Sequence, residues 1–278
     1  MRLDIKNSKR LTETIKALTG KSLDIPITGL TTDSRDCKSG DLYIALAGMR
    51  SDGHQYINEV ERKNASAALV SVLDDDETLK IKQILVDDTK KTLGLIASEW
   101  RKKFEIPVIA ITGSNGKTST KELLNHVLND RYNVHSTQGN YNTSVGLPLS
   151  LLEINKYHDI SIIEMGANQP GDIEYLCKIA DPTHGLITNI SSAHLEGFQS
   201  VENILETKGA LFNYLDKGIA YVNYADDRLR TMKIKGKKIT YGLNADCDFP
   251  ADIHHDDDGS LVLTIDSREL KTKSKNLS

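Results

Sequence analysis

Val108-Ile109-Ala110-Ile111-Thr112-Gly113-Ser114-Asn115-Gly116-Lys117-Thr118-Ser119-Thr120 decides the fold of this 278-residue chain. Val108 to Thr112 are apolar or β-branched without a break, which suits a strand buried on both faces of a parallel sheet. Gly113 to Gly116 form a tight glycine loop. Lys117 and Thr118 follow, and then Leu123, Leu124, Val127 and Leu128 give the apolar stripe of a helix. Strand, glycine loop, Lys-Thr and helix together make a phosphate cradle. Backbone N–H groups and the helix N-terminus face an anion, the lysine adds a point charge, and the threonine hydroxyl reaches a Mg²⁺ ion. The long form of this motif wants glycine where Ile111 stands, so the sequence carries the shorter Gly-x-x-Gly-Lys-Thr form. The bland alternative is a glycine turn with Lys117 in solvent. Pro107 before the strand and the periodic helix after it favour the cradle.

The totals exclude several classes. A net charge of −4 and an aromatic content of 5% argue against a nucleic-acid surface. Cys37, Cys177 and Cys247 are odd in number and widely spaced, so they suggest neither a zinc site nor a disulfide framework. A reducing, cytoplasmic setting is expected. The N-terminus lacks the apolar core of a signal peptide, and no run reaches the about 18 apolar residues of a membrane span. A monomer is the simplest expectation.

Working outward, the fold class is α/β, in two domains. Residues 1–87 read as a small α/β unit with helices over 8–18 and 56–64 and strands over 42–46, 67–72 and 84–86. Residues 88–278 read as the larger domain. Leu93, Ile96, Ala97, Trp100 and Phe104 form one apolar helical face, and Pro107 blocks its continuation. From Val108 onward strands and helices alternate, which implies a mostly parallel sheet flanked by helices. The last forty residues read as short β-strands. His254-His255-Asp256-Asp257-Asp258-Gly259 is read as a hairpin turn, since Asp-Gly chemistry explains it without a metal.

Ligands of such sheets bind beyond the strand carboxyl ends. Glu164 closes the apolar run Ile160 to Ile163, a place where a nucleotide-bound Mg²⁺ is held. His194 follows the next strand; it is either a packing or surface histidine or a metal ligand. Lys208 occupies an inward place in the series Val201, Ile204, Leu205, Leu211, Phe212, Leu215. A lysine there either snorkels or reaches a carboxylate or phosphate, or is chemically modified. Asn140, Asn142 and Thr143 form a polar loop that suits a polar ligand or an Asx-type turn.

These segments resemble the Mur ligases, which build the peptide stem of bacterial peptidoglycan. The likeness runs through Thr112–Thr118, Gly139–Asn142, Gly146–Pro148, Glu164–Asn168, Thr188–Ile190, Ala193–Phe198 and Lys208-Gly209, and through Thr32–Arg35, Gly40–Leu42 and Asp52–His54 in the first domain. Glu164-Met165-Gly166-Ala167-Asn168 and Ala193-His194-Leu195-Glu196-Gly197-Phe198 point to the branch that joins D-alanyl-D-alanine to UDP-N-acetylmuramoyl-tripeptide. The resemblance implies that ATP phosphorylates the peptide carboxylate and that the acyl phosphate is attacked by the dipeptide amine. It implies an ATP site at Gly113, Ser114, Asn115, Gly116, Lys117, Thr118 and Ser119. Two Mg²⁺ ions are implied, held by Thr118 and Glu164 and by His194 and a carbamylated Lys208. Lys117, His194 and Lys208 would be catalytic. Ser34, Arg35, Arg50, Asp52, His54, Asn140, Asn142 and Thr143 would contact the UDP-linked substrate. The family's later adenine-contacting segment and C-terminal dipeptide-binding domain are not seen, so a shortened ligase, inactive alone, is expected. The alternatives are a diaminopimelate- or lysine-adding Mur enzyme, a folate-type ligase, or a non-catalytic UDP-sugar module.

Overall fold

The computed structural model describes residues 2–48, 51–191, 198, 200–243, 246–265 and 268–271. The chain forms two units. The first takes residues 1–105 with 138–157 and 178–181, and the second takes 106–137, 158–177 and 182–278.

The first unit opens with β1 (Arg2–Asp4), α1 (Ser8–Thr19), β2 (Gly29–Thr31), β3 (Asp41–Ile44), α2 (Ile57–Arg62), β4 (Ala67–Val70), β5 (Lys82–Leu85) and α3 (Thr89–Arg101). The strands lie in sequence order, with β1 antiparallel to β2 and the rest parallel. Asn7 caps the start of α1 by accepting from the Arg10 N–H, and Gly20 ends it in the left-handed region. Leu11, Ile15, Leu30, Leu42, Ile44 and Leu69 are fully buried. Strands β1 and β2 have no counterpart in the sequence reading. They are three residues long, and β1 is held by a buried ion pair: the Arg2 guanidinium donates to both Asp41 carboxylate oxygens at 2.7 and 2.8 Å. A Cβ on Gly29 would fall on that pair, 2.3 Å from Asp41 Oδ1. Trp100 Nε1 donates to the Ile154 carbonyl at 2.9 Å, and Arg101 donates to the carbonyls of Phe104 and Ala180. Those bonds tie segments 138–157 and 178–181 to α3.

The second unit contains β6 (Val108–Thr112), α4 (Lys117–Leu128), β7 (Val134–Ser136), β8 (Ile160–Glu164), most of α6 (Asp172–Ala180), β9 (His184–Ile187), α7 (Val201–Tyr214), β10 (Ile219–Asn223), α8 (Asp227–Arg230), β11 (Lys237–Gly242), β12 (Phe249–His255), β13 (Leu261–Ile265) and β14 (Arg268–Lys271); α5 (Gly146–Leu151) belongs to the first. Its sheet runs β14-β13-β12-β11-β10-β9-β6-β8-β7. Strands from β7 to β12 pair in parallel, and β12, β13 and β14 close antiparallel. The expected mostly parallel sheet with flanking helices is what forms. The chain leaves β6 for the sheet edge at β7, returns to β8 beside β6, then crosses to β9 on the other side. That reversal opens a crevice at the carboxyl end of β6. The turn after His255 is the expected one, with Gly259 at φ +78° and its N–H donating to the Asp256 carbonyl.

Helix α4 departs from the sequence reading. Leu123 and Val127 are 67% and 63% exposed, and the residue that α4 buries is Lys121. The inferred stripe is therefore split: Leu124 and Leu128 are half-buried on the side of Lys121, while Leu123 and Val127 face solvent. No helix among the described residues is long and apolar enough to cross a membrane.

Candidate functional site

The glycine loop turns directly off the end of β6 through two positive-φ glycines, of which Gly113 has no room for a side chain. Gly113 has φ +144°, and a Cβ there would lie 1.9 Å from Thr188 Oγ1. Gly116, at φ +77°, caps α4 with no side-chain acceptor. The first-turn N–H groups of α4 thus keep their anion-binding capacity. Thr188 is in the residue run that follows β9, and it grips the loop. Its hydroxyl donates to the Asn115 carbonyl at 2.6 Å. Asn189 accepts the Ser114 N–H at its carbonyl, 2.9 Å, and the Asn115 N–H at its side chain, 3.2 Å. The Ser191 N–H donates to Ser114 Oγ at 2.9 Å. This footing is itself held: Asp226 accepts from the Ile190 N–H at 2.7 Å, and Asn223 Nδ2 donates to the Thr188 carbonyl at 3.0 Å.

Lys117 folds back over the loop and donates to the carbonyls of Gly113 and Ser114 at 2.8 and 3.2 Å. Burial lowers its pKa and the Glu164 charge opposes that. Register places Ile111 beside Glu164, so β8 delivers this carboxylate to the flank of the loop. Glu164 is 2% exposed, and its Oε2 accepts from the Thr118 hydroxyl at 2.8 Å. A buried carboxylate and a hydroxyl converging at a helix N-terminus are hard oxygen donors, which is the chemistry of a Mg²⁺ shared with phosphate oxygens.

Lys208 lies on the inward face of α7, 4% exposed. Its ammonium sits 5.9 Å from the centre of the Phe198 ring. Among the described residues no carboxylate pairs with it. Burial, and secondarily the charge of Lys117, pushes its pKa down to about 8. His194 and Arg50 lie outside the described residues.

In the first unit a cavity of about 830 Å³ is lined by Thr32, Asp33, Ser34, Arg35, Tyr56 and Lys90, among others. Two of the residues singled out from sequence, Ser34 and Arg35, are there. Arg35 is paired with Asp33 at 2.6 Å, and Ser34 donates to Glu59 Oε2 at 3.1 Å. Asp52 and His54 flank the lining residue Gly53 and hold one another at 2.6 Å. His54 Nε2 accepts the Ser71 N–H at 2.9 Å, so its proton is on Nδ1, facing Asp52. Asn140, Asn142 and Thr143 precede α5; the Thr143 carbonyl accepts the Leu147 N–H at 2.9 Å. Tyr56 and Lys90 at the cavity and Asp226 beneath the loop were not picked out from the sequence, and Thr32, Thr188 and Asn189 were noted only within matching segments, without a role. Thr188, Asn189 and Asp226 sit just beyond strand carboxyl ends, and that rule would have found them.

Comparison with known proteins agrees with this geometry. Residues 111–277 match the Mur ligase middle domain, and residues 26–101 match the Mur ligase family catalytic domain. The UDP-N-acetylmuramoyl-tripeptide–D-alanyl-D-alanine ligase of Synechocystis sp. is 38% identical over 251 residues, covering 89% of this chain and 54% of that protein. Its Escherichia coli counterpart is 38% identical over 202 residues, covering 72% and 44%. Among solved structures, MurF from Acinetobacter baumannii superposes with a TM-score of 0.85 at 29% identity, over 98% of this chain and 60% of that one. MurF ligase from Thermotoga maritima in complex with ADP gives 0.79 at 33% identity, over 87% and 57%. The chain spans about half the length of the curated relatives it matches. With both domains matched in chain order on a sheet that presents the glycine loop at its switch point, this chain belongs to the Mur ligase family.

Proposed function

We propose that this chain serves a MurF-type ligase, which uses ATP to join D-alanyl-D-alanine to UDP-N-acetylmuramoyl-tripeptide. The observation that carries the reading is the Thr118–Glu164 hydrogen bond of 2.8 Å at the start of α4, beside the glycine loop. The loop N–H groups and the α4 N-terminus bind the ATP phosphates. Lys117 exchanges its two carbonyl acceptors for phosphate oxygens. Thr118 and Glu164 would hold a Mg²⁺, which would supply charge neutralisation to the phosphates.

The tripeptide carboxylate attacks the terminal phosphorus and ADP leaves, giving an acyl phosphate. The dipeptide amine then attacks the acyl carbon and inorganic phosphate leaves. The protein's part is to position these groups and to offset their charge. Lys208, as its carbamate, and His194 would hold the second ion. The neutral Lys208 amine adds to CO₂ and releases a proton, so a buried cation becomes an oxygen-donor anion. Burial, with no carboxylate partner among the described residues, favours that change, because it favours the uncharged amine. The first-unit cavity takes the UDP-sugar end, with Lys90, Arg35 and the hydroxyls of Thr32, Ser34 and Tyr56 suited to an anionic, hydroxyl-rich ligand.

Ligand-dependent thermal unfolding tests the reading. UDP-N-acetylmuramoyl-tripeptide at about 100 times its Kd raises stability by about 2.7 kcal/mol. The dipeptide form and UDP alone are expected to stabilise less. Equal stabilisation by the dipeptide form, or none by any UDP-linked ligand, overturns the assignment.

A further inference from the structure

We propose that Lys121 and Thr137 are positioning residues that fix the Glu164 carboxylate against α4. This rests on the reading of Glu164 and Thr118 as Mg²⁺ holders. Lys121 is 1% exposed, on a helix that leaves Leu123 and Val127 in solvent. A methionine or leucine would fill that place without the desolvation cost of an ammonium. A lysine there is explained by what it holds. Its ammonium donates to the Thr137 carbonyl at 2.6 Å and pairs with Glu122, an exposed partner, at 2.8 Å.

Thr137 is fully buried just beyond β7. Its N–H donates to the Ile162 carbonyl at 3.0 Å, and its hydroxyl accepts the Glu164 N–H at 3.1 Å. Glu164 in turn accepts from Thr118, three residues before Lys121 and on the same side of α4. The bonds close a ring: first turn of α4, Glu164 side chain, Glu164 backbone, Thr137, Lys121, second turn of α4. The carboxylate is held from its tip by Thr118 and from its backbone by Thr137. Lys121 sets the separation between α4 and the ends of β7 and β8. Partners that orient a metal ligand in this way commonly govern metal affinity.

The test uses ADP and Mn²⁺ with the 278-residue chain. ADP affinity is measured in chelator and across a Mn²⁺ titration, for wild type, Lys121→Met, Lys121→Arg, Thr137→Val and Thr137→Ser. Lys121→Met and Thr137→Val are expected to raise the Mn²⁺ midpoint about tenfold, with chelator-measured ADP affinity changed by less than about twofold. The conservative variants, Lys121→Arg and Thr137→Ser, restore most of that loss. A lowered melting temperature with an unchanged Mn²⁺ midpoint in both disruptive variants overturns the proposal and leaves the two residues as structural. If Lys121→Met fails to fold, the Thr137 pair decides the matter alone, since it changes one hydroxyl and no charge. Wild type that binds ADP no better with Mn²⁺ overturns the underlying metal reading and the proposal with it.

Discussion

Gly113 carries more constraint than any other residue of the loop. Its φ of +144° and the 1.9 Å approach of Thr188 Oγ1 to a built Cβ leave no room for a side chain. Gly113→Ala is expected to lose about 1–3 kcal/mol from backbone strain alone. Urea unfolding measures the loss, and an unchanged midpoint would show that the loop relaxes freely. The cysteines give a second test at this scale. All three are buried and none forms a disulfide, and burial pushes the Cys37 thiol up to about 11 and the Cys177 thiol up to about 12. At pH 8 the thiolate fractions of Cys37 and Cys177 fall to about one in a thousand or less, against about a quarter for an ordinary cysteine. A thiol reagent is therefore expected to react slowly with the native protein and at all three sites once it is unfolded. Fast reaction of the native protein contradicts the burial. Lys208 was legible in sequence because it falls on the apolar stripe of α7. Lys121 was not, since a charged residue beside Leu124 and Leu128 reads as the polar edge of the stripe, and Leu123 and Val127 widened that stripe toward solvent.

Elements long enough to show a period were the legible ones. Strand β8 occupies the residues expected of it, and α7 begins one residue after Ser200, which caps it. Strands β1 and β2 were invisible because three residues carry no period, and β1 includes an arginine whose partner is 39 residues away. That pairing predicts a measurable coupling. Asp41→Ala leaves the Arg2 guanidinium, 13% exposed, without its buried acceptor. Removing one partner of a buried pair typically costs about 3–5 kcal/mol. Chemical denaturation is expected to show a loss of that order. A double variant that also replaces Arg2 with Met should recover part of it. A loss below about 1 kcal/mol would place the pair in the class of solvent-screened contacts.

For the whole molecule, the mostly parallel sheet and the loop's place at a strand carboxyl end were readable from the alternation of strands and helices, whereas the strand order that makes β6 the switch point came only with the fold. The footing of the loop was not readable, because Thr188, Asn189 and Asp226 lie in segments joined only by the fold. Lys208 gives a prediction at this scale: with isotope-labelled bicarbonate, the wild-type chain should show a carbamate carbon resonance that Lys208→Arg lacks. No such resonance at saturating bicarbonate argues for a plain buried ammonium. The most direct test of the account is ADP binding with and without Mg²⁺, in wild type and in Glu164→Gln. The wild-type chain is predicted to bind ADP more tightly with Mg²⁺, and Glu164→Gln to lose about tenfold or more of the Mg²⁺-bound affinity while keeping its metal-free affinity. A Glu164→Gln protein that keeps the full Mg²⁺-dependent gain would contradict the claim that the glycine loop and Glu164 form one nucleotide–metal site.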